Sequence, residues 1–98
     1  MAILGTINKQ PREILDFDVD YTDVLADRSG DTVASVVTEV SPTGALTVAG
    51  TTIFSGTNKV KVVINGGTTT NTYKVTVMTT TTAGLMYEDE INVAVLDT

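Results

Sequence analysis

Three aspartates at alternate positions form the pattern in this chain with the clearest chemical potential. Asp16, Asp18 and Asp20 have the spacing with which a calcium-binding loop begins. Such a loop normally has glycine at its sixth position and a bidentate carboxylate at its twelfth, but here those positions hold Tyr21 and Asp27. The residues between the aspartates are apolar, which is typical of a half-buried strand with one charged face. We therefore expect no metal site and no cofactor.

Other groups that could support catalysis are few. The chain contains no histidine and no cysteine, which removes the imidazole base, the thiolate nucleophile and the usual zinc ligands. Glu88 and Glu90 could form a carboxylate pair for acid–base chemistry, but at the end of a sheet such a pair is more typical of solvated charge that protects an edge. Gly66, Gly67 and Thr68 lack the lysine and the helix of a phosphate-binding loop. These patterns predict a protein that is not an enzyme and has no small-molecule substrate.

The charge balance and hydropathy of the chain argue against two further classes of partner. Six basic and twelve acidic residues give a formal net charge of −6, which repels nucleic acid and anionic membrane surfaces. The chain has no apolar run near the roughly 20 residues of a membrane helix. Its start lacks the basic region of a signal peptide, and the absence of cysteine fits folding in a reducing cytoplasm. We expect a protein that is made, and stays, in soluble form.

The composition favours β-structure. Of the 98 residues, nineteen are threonine and fourteen are valine, and branching at Cβ suits a pleated sheet better than a helix. Apolar residues alternate with polar ones in most segments, which places them on one face of each strand. The predicted strands are 3–7, 15–21, 32–40, 45–49 and 51–54 on either side of Gly50, 59–65, 72–79 and 86–96. The predicted core consists of Phe17, Val19, Val36, Val60, Val62, Ile64, Val75, Val77, Ile91, Val93 and Val95.

The segment from Gly66 to Val77 indicates which β-fold to expect. A bend at Gly66 and Gly67, followed by Tyr73 and alternating valines, is typical of the E–F corner of immunoglobulin-like and fibronectin-like domains, where the tyrosine hydroxyl bonds upstream backbone. A plain hairpin at Asn65 and Gly66 is the alternative. With strands about every ten residues, the chain predicts an all-β, immunoglobulin-like or fibronectin III-like antiparallel sandwich of about seven strands. Residues 1–98 would form one domain, with 1–10 as an N-terminal strand or arm.

Ordered motifs along most of the chain are similar to those of one family. They lie in residues 9–25 and 30–35, and in 66–77, 83–84 and 88–95. In the first half a proline-containing entry leads to an alternating strand and then to Gly-Asp-Thr-Val, where the family has a "DW…WL" element and a "GDTI" strand. The second half is similar to the family's "GG…Y.V…T..G…(E)" ending. The chain thus resembles, over roughly residues 9 to 96, small structural proteins of tailed phages described as tail-fibre adaptors.

This resemblance implies an immunoglobulin-like sandwich built into the virion, as a non-enzymatic adaptor that joins tail or neck to tail fibres. Its partners would be other virion proteins, namely tail, neck or fibre subunits. The protein would be monomeric in isolation and multimeric, in ring-like contacts, in the particle. Tyr21 and Val24 stand where the family usually has tryptophan, and the chain contains no tryptophan.

The apolar segment before the family motifs is the candidate docking element. Ile3, Leu4 and Ile7 could add a strand to the open edge of a neighbouring subunit, or they could pack as the first strand of their own domain. Two other functions remain open from the sequence. One is head decoration or head–tail joining, and the other is an immunoglobulin-like adhesion or carbohydrate-binding module of a bacterial surface protein.

Overall fold

Alternation of apolar and polar residues produces seven strands in the computed structural model, which describes residues 2–22, 25, 30–54 and 58–97. The strands are β1 (Ala2–Lys9), β2 (Ile14–Asp20), β3 (Val33–Ser41), β4 (Leu46–Ile53), β5 (Lys59–Gly66), β6 (Thr72–Thr81) and β7 (Met86–Val95). The described residues form no helix, as expected for a chain rich in β-branched residues. Accordingly, none of them belongs to a helix of the length and apolar character that crossing a membrane requires.

The strands form two sheets, as predicted. One sheet has the order β1-β7-β6-β3 and the other has the order β2-β5-β4. All pairings are antiparallel except that of β1 with β7, which is parallel. The prediction of a wholly antiparallel sandwich was therefore wrong for one strand pair. Strands joined by a short hairpin must be antiparallel, but β1 and β7 are separated by the rest of the chain and are free of that restriction.

The core lies between the two sheets. All the predicted core residues are buried except Phe17 and Val36, which are half-buried and pack against the core. These two lie on β2 and β3, which are edge strands and leave one side of each side chain open. The buried apolar side chains among the described residues are Val19, Tyr21, Leu25, Val33, Leu46, Val60, Val62, Ile64, Tyr73, Val75, Val77, Ile91, Val93 and Val95.

The sequence predicts two short strands on either side of Gly50, but in the structure β4 is a single strand. The strand runs without interruption from Leu46 to Ile53, and its register against β5 shifts between Val48 and Gly50. Ala49 is the additional residue in this β-bulge, which bends the strand and keeps it paired. A glycine inside a predicted strand can mark either a β-bulge or the end of the strand. The alternation of apolar and polar residues on either side of it does not distinguish the two.

The acidic segment near the start of β7 also differs from its predicted role. Glu90 was expected to be solvated charge at a sheet end, but only 5% of it is exposed. Because β1 pairs on its other side, β7 is an interior strand, and the carboxylate lies 3.0 Å from Nζ of Lys74 on β6. Glu90 is thus a buried carboxylate with one partner ammonium, and this structure gives no support to a catalytic pair with Glu88, which is only partly buried.

Truncation of Val75 tests the packing of this core. Val75 is fully buried on β6, so Val75→Ala should lower the free energy of unfolding by about 1–3 kcal/mol, because it removes buried methyl groups from a packed interior. Urea denaturation followed by circular dichroism measures the change. The matched control is Val37→Ala on the exposed side of β3, which should change stability by less than about 0.5 kcal/mol. Equal effects at the two sites would contradict the assignment of the core.

Candidate functional site

The bend between β5 and β6 contains the tyrosine that the sequence singled out. Tyr73 is buried at the start of β6, and its hydroxyl accepts a hydrogen bond of 3.0 Å from the backbone N–H of Thr68. The side-chain amide of Asn71 donates to the same oxygen at 3.5 Å. Hydrogen bonds from Asn71 and Thr68 lower the pKa of Tyr73. The tyrosine thus contacts backbone five residues upstream of it and connects the start of β6 to the bend.

The two glycines of this bend have conformations that other residues rarely adopt. Gly66 and Gly67 have φ values of +81° and +105°. A Cβ on Gly66 would overlap the backbone oxygen of Ala45, and one on Gly67 would lie 2.7 Å from a methyl carbon of Val95. The bend is therefore packed against both the start of β4 and the end of β7, and only glycine fits at either position.

A buried lysine joins the two sheets at the same end of the molecule. Lys9 ends β1 in the four-stranded sheet, and its Nζ donates a hydrogen bond of 2.6 Å to the carbonyl of Gly66, the last residue of β5 in the other sheet. It also donates to the carbonyls of Gln10 and Pro11, at 2.8 and 3.3 Å. Burial lowers the pKa of Lys9, and the nearby carboxylate of Glu13 opposes this effect. The sequence contains no signal for this contact, because an isolated lysine at a strand end is usually exposed.

Tyr21 joins the two sheets at the opposite end of the sandwich. It follows β2, is 3% exposed, and shares a hydrogen bond of 2.9 Å with the hydroxyl of Thr79 on β6. Its hydroxyl donates to the carboxylate of Asp89 on β7 at 2.8 Å. Burial raises the pKa of Tyr21, as does the hydrogen bond to Asp89, although the bond with Thr79 acts in the opposite direction. Tyr21 therefore connects the three-stranded sheet to both central strands of the four-stranded sheet.

The Gly-Asp-Thr-Val motif meets the turn between β6 and β7. One carboxylate oxygen of Asp31 accepts hydrogen bonds from the hydroxyl of Thr82 at 2.8 Å and from the backbone N–H of Ala83 at 3.0 Å. Partial burial opposes ionisation of Asp31, but these hydrogen bonds outweigh it and lower its pKa. Two motifs that are distant in sequence thus form one structural unit.

The row of three aspartates lies along the exposed face of β2. Asp16, Asp18 and Asp20 are all exposed and follow one another along the strand. In the register with β5, Asp18 is opposite Lys61 and Asp20 is opposite Lys59, and the carboxylate of Asp16 is 3.6 Å from Nζ of Lys61. Asp27 lies outside the described residues. Within the described part of the chain, no group of three or more acidic side chains is arranged to hold a metal ion.

The predicted docking segment lies at an edge of the four-stranded sheet. Ile3, Leu4 and Ile7 belong to β1, which pairs with β7 of its own chain, and Ile7 is half-buried against the core. A docking role for this segment stays a prediction. Among the side chains that the structure describes, the exposed large apolar ones are Ile14, Val37, Ile53, Met86 and Leu96.

The fold and these surfaces define a small β-module with two sheets. Comparison with known protein families shows the family to which it belongs. The family model for the podophage GP4 fiber-tail adaptor protein gp77 matches residues 9–94 of the chain. The chain belongs to this family of phage tail-fibre adaptors, which confirms the resemblance seen in the sequence motifs. A search of curated proteins found no match.

Removal of one hydroxyl tests the corner. Tyr73→Phe should lower the free energy of unfolding by about 0.5–1.5 kcal/mol without loss of the fold, because the Thr68 N–H loses its buried acceptor while the ring remains in place. Urea denaturation measures the change, and Tyr73→Leu provides a comparison in which the ring is lost as well. An unchanged stability in Tyr73→Phe would show that the hydroxyl does not hold the corner.

Calcium should not bind tightly to the row of aspartates. Asp16, Asp18 and Asp20 occupy alternate positions along the exposed face of β2 and do not converge on one point. Titration calorimetry with calcium chloride should detect no micromolar affinity, and millimolar calcium should leave the melting temperature almost unchanged. A strong rise in melting temperature that disappears in Asp18→Asn would overturn this prediction.

Proposed function

We propose that this protein is a non-enzymatic structural component of the virion, which joins tail or neck to tail fibres. The observation that carries the proposal is the family match over residues 9–94. An adaptor needs a stable body and surfaces for two partners, and it requires no catalytic group. Its partners are other virion proteins, and its contacts form a ring around the tail or neck.

The order of the strands supports an immunoglobulin-like identity for the sandwich. If β1–β7 are lettered A to G, the three-stranded sheet has the order B-E-D, and the four-stranded sheet contains C-F-G with A beside G. This division of strands matches the constant-type immunoglobulin arrangement, apart from the position of the first strand. The bend with Tyr73 then lies between strands E and F, where a tyrosine corner belongs. We propose that residues 1–98 form one such domain.

The distribution of surface groups suits a protein that is held between neighbours. The outer face of the three-stranded sheet carries aspartates opposite lysines, whereas the outer face of the other sheet exposes Val37 and Met86. Two faces of different chemistry provide two different docking surfaces. Each contact in a ring can be small and weak while the assembled ring has many of them. The isolated protein is therefore monomeric at micromolar concentration, and it is made in the host cytoplasm before assembly.

Mass spectrometry of purified particles tests this proposal. The protein should be present in intact virions in a fixed ratio to the tail proteins. Particles assembled without the gene should have tails but no fibres, and the purified protein added to them should restore fibre attachment. A variant with a disrupted core, such as Val75→Asp, should fail to restore attachment and serves as the negative control.

Three results would contradict the proposal. Absence of the protein from intact virions would exclude a virion component, and recovery on a bacterial surface would favour the adhesion module. Particles that lack the protein but carry a normal complement of fibres, with unstable heads instead, would support head decoration or head–tail joining.

A further inference from the structure

One edge of the four-stranded sheet lacks the features that usually prevent strand addition. Of the four edge strands, β1 and β4 have register shifts, near Gly5 and at Gly50, and β2 carries three aspartates. β3 has a shift only at its start, between Val33 and Ser35. An edge strand with unpaired backbone groups and few charges is a template for pairing with another strand.

The free part of β3 is long and regular. From Ser35 to Ser41 it keeps one register with β6, and it contains no proline, glycine or lysine. Val37 is 58% exposed on its outer side. Among the described residues, β3 pairs with β6 alone. Seven consecutive residues can therefore pair with another strand.

The sequence of this edge is nearly symmetric about Thr38. Serine lies three residues away on each side and valine lies two residues away on each side. If a second copy pairs antiparallel across an axis at Thr38, Val36 faces Val40 of the other copy. Side chains directly opposite each other lie on the same face of a sheet, so the half-buried valines of both copies meet on the inner side.

Other positions of the axis fit less well. An axis at Glu39 would place two carboxylates directly opposite each other, which is destabilising. An axis at Val37 would extend the paired region into the irregular register between Val33 and Ser35. The axis at Thr38 uses the whole regular segment and places Glu39 opposite Val37 of the second copy.

An open cleft beside this edge provides additional surface for a second copy. It lies between β3 and β4 and is lined by residues that include Thr38, Val40, Leu46 and Val48. Val40 and Val48 are half-buried and pack against the core from this open side. A strand paired with β3 would cover this side of the core, and burial of apolar surface favours association.

We propose that the protein self-associates through antiparallel pairing of β3 with β3 of a second copy, across a two-fold axis at Thr38. The paired sheets form one continuous sheet of eight strands. The area of contact is small and each chain carries a net charge of −6, so the dimer is weak and forms at high local concentration. This inference does not depend on the adaptor function.

Sedimentation velocity of the full chain over a range of concentrations tests the association. The protein should be monomeric at about 10 µM and substantially dimeric near 1 mM, concentrations that correspond to a weak contact. Sodium chloride at about 0.5 M should strengthen the dimer, because it screens repulsion between two acidic chains. A protein that remains monomeric at 1 mM in high salt would overturn the proposal.

Charge substitutions at Val37 test the register. Val37→Glu places a second carboxylate opposite Glu39 in both symmetric pairs and should raise the dissociation constant about tenfold, whereas Val37→Lys should lower it several-fold. Thr52→Glu and Thr52→Lys change the net charge equally and are the matched controls, because Thr52 is exposed on β4 opposite Lys61 and does not line the cleft. If the Thr52 variants have effects of the same size, net charge alone acts and the proposed register is wrong.

Disulfide formation locates the axis directly, because the natural chain has no cysteine. Under mild oxidation a mixture of Val37→Cys and Glu39→Cys chains should give mainly the mixed dimer. Dominant self-crosslinking of Val37→Cys alone would move the axis to residue 37, and dominant self-crosslinking of Glu39→Cys would move it to residue 39. Either result would contradict an axis at Thr38. A Thr52→Cys chain, with its cysteine at an exposed position outside the cleft, measures crosslinking by random collision.

Discussion

Burial of one face of each sheet against the other is the interaction on which the rest of this structure depends. The layer between the sheets consists largely of valines at alternate positions, such as Val60 and Val62 on β5 and Val75 and Val77 on β6, all fully buried. Each buried aliphatic side chain contributes roughly 1.5–3 kcal/mol relative to an exposed one. A slip of one residue in any strand would turn these side chains outward, so burial also sets the register.

Polar side chains at the two ends of the sandwich form buried hydrogen bonds in addition to the apolar contacts of the core. Lys9 and Tyr73 lie at one end, near the bend at Gly66, and Tyr21 lies at the other end. Each has its polar atoms paired, which matters because an unpaired buried polar group costs about 1–3 kcal/mol. Apolar contacts tolerate small displacements, whereas hydrogen bonds require defined distances and angles. These three side chains therefore define how one sheet is placed on the other.

A rigid body with unequal surfaces is what an adaptor requires. The charged pairs on the outer face of β2 and β5 keep that face solvated. In the other sheet β3 is an edge strand that pairs with β6 alone among the described residues, and its Val37 is exposed. The chain thus separates a surface that resists strand pairing from an edge that permits it. The chain belongs to the tail-fibre adaptor family, and different surfaces suit a protein that contacts different partners.

The sequence by itself determined the class of fold, most of the strands and the members of the core. Period-two alternation is a local property, so Val19, Val62 and Val93 could be assigned to the inner face without knowledge of their partners. The bend at Gly66 and Gly67 and the position of Tyr73 after it were also visible in the sequence, as was membership of the family.

Only the tertiary structure decided which strands lie at edges, and several assignments depended on that. Glu90 is buried because β1 pairs beside β7, and Gly50 lies in a bulge because β5 keeps β4 paired across it. Lys9 is buried because the carbonyl of Gly66, 57 residues away in sequence, lies within hydrogen-bonding distance of its ammonium group. Local patterns report which side of a strand is apolar. They carry no information on which strand lies beside it, because strand neighbours depend on contacts between residues that are far apart in the chain.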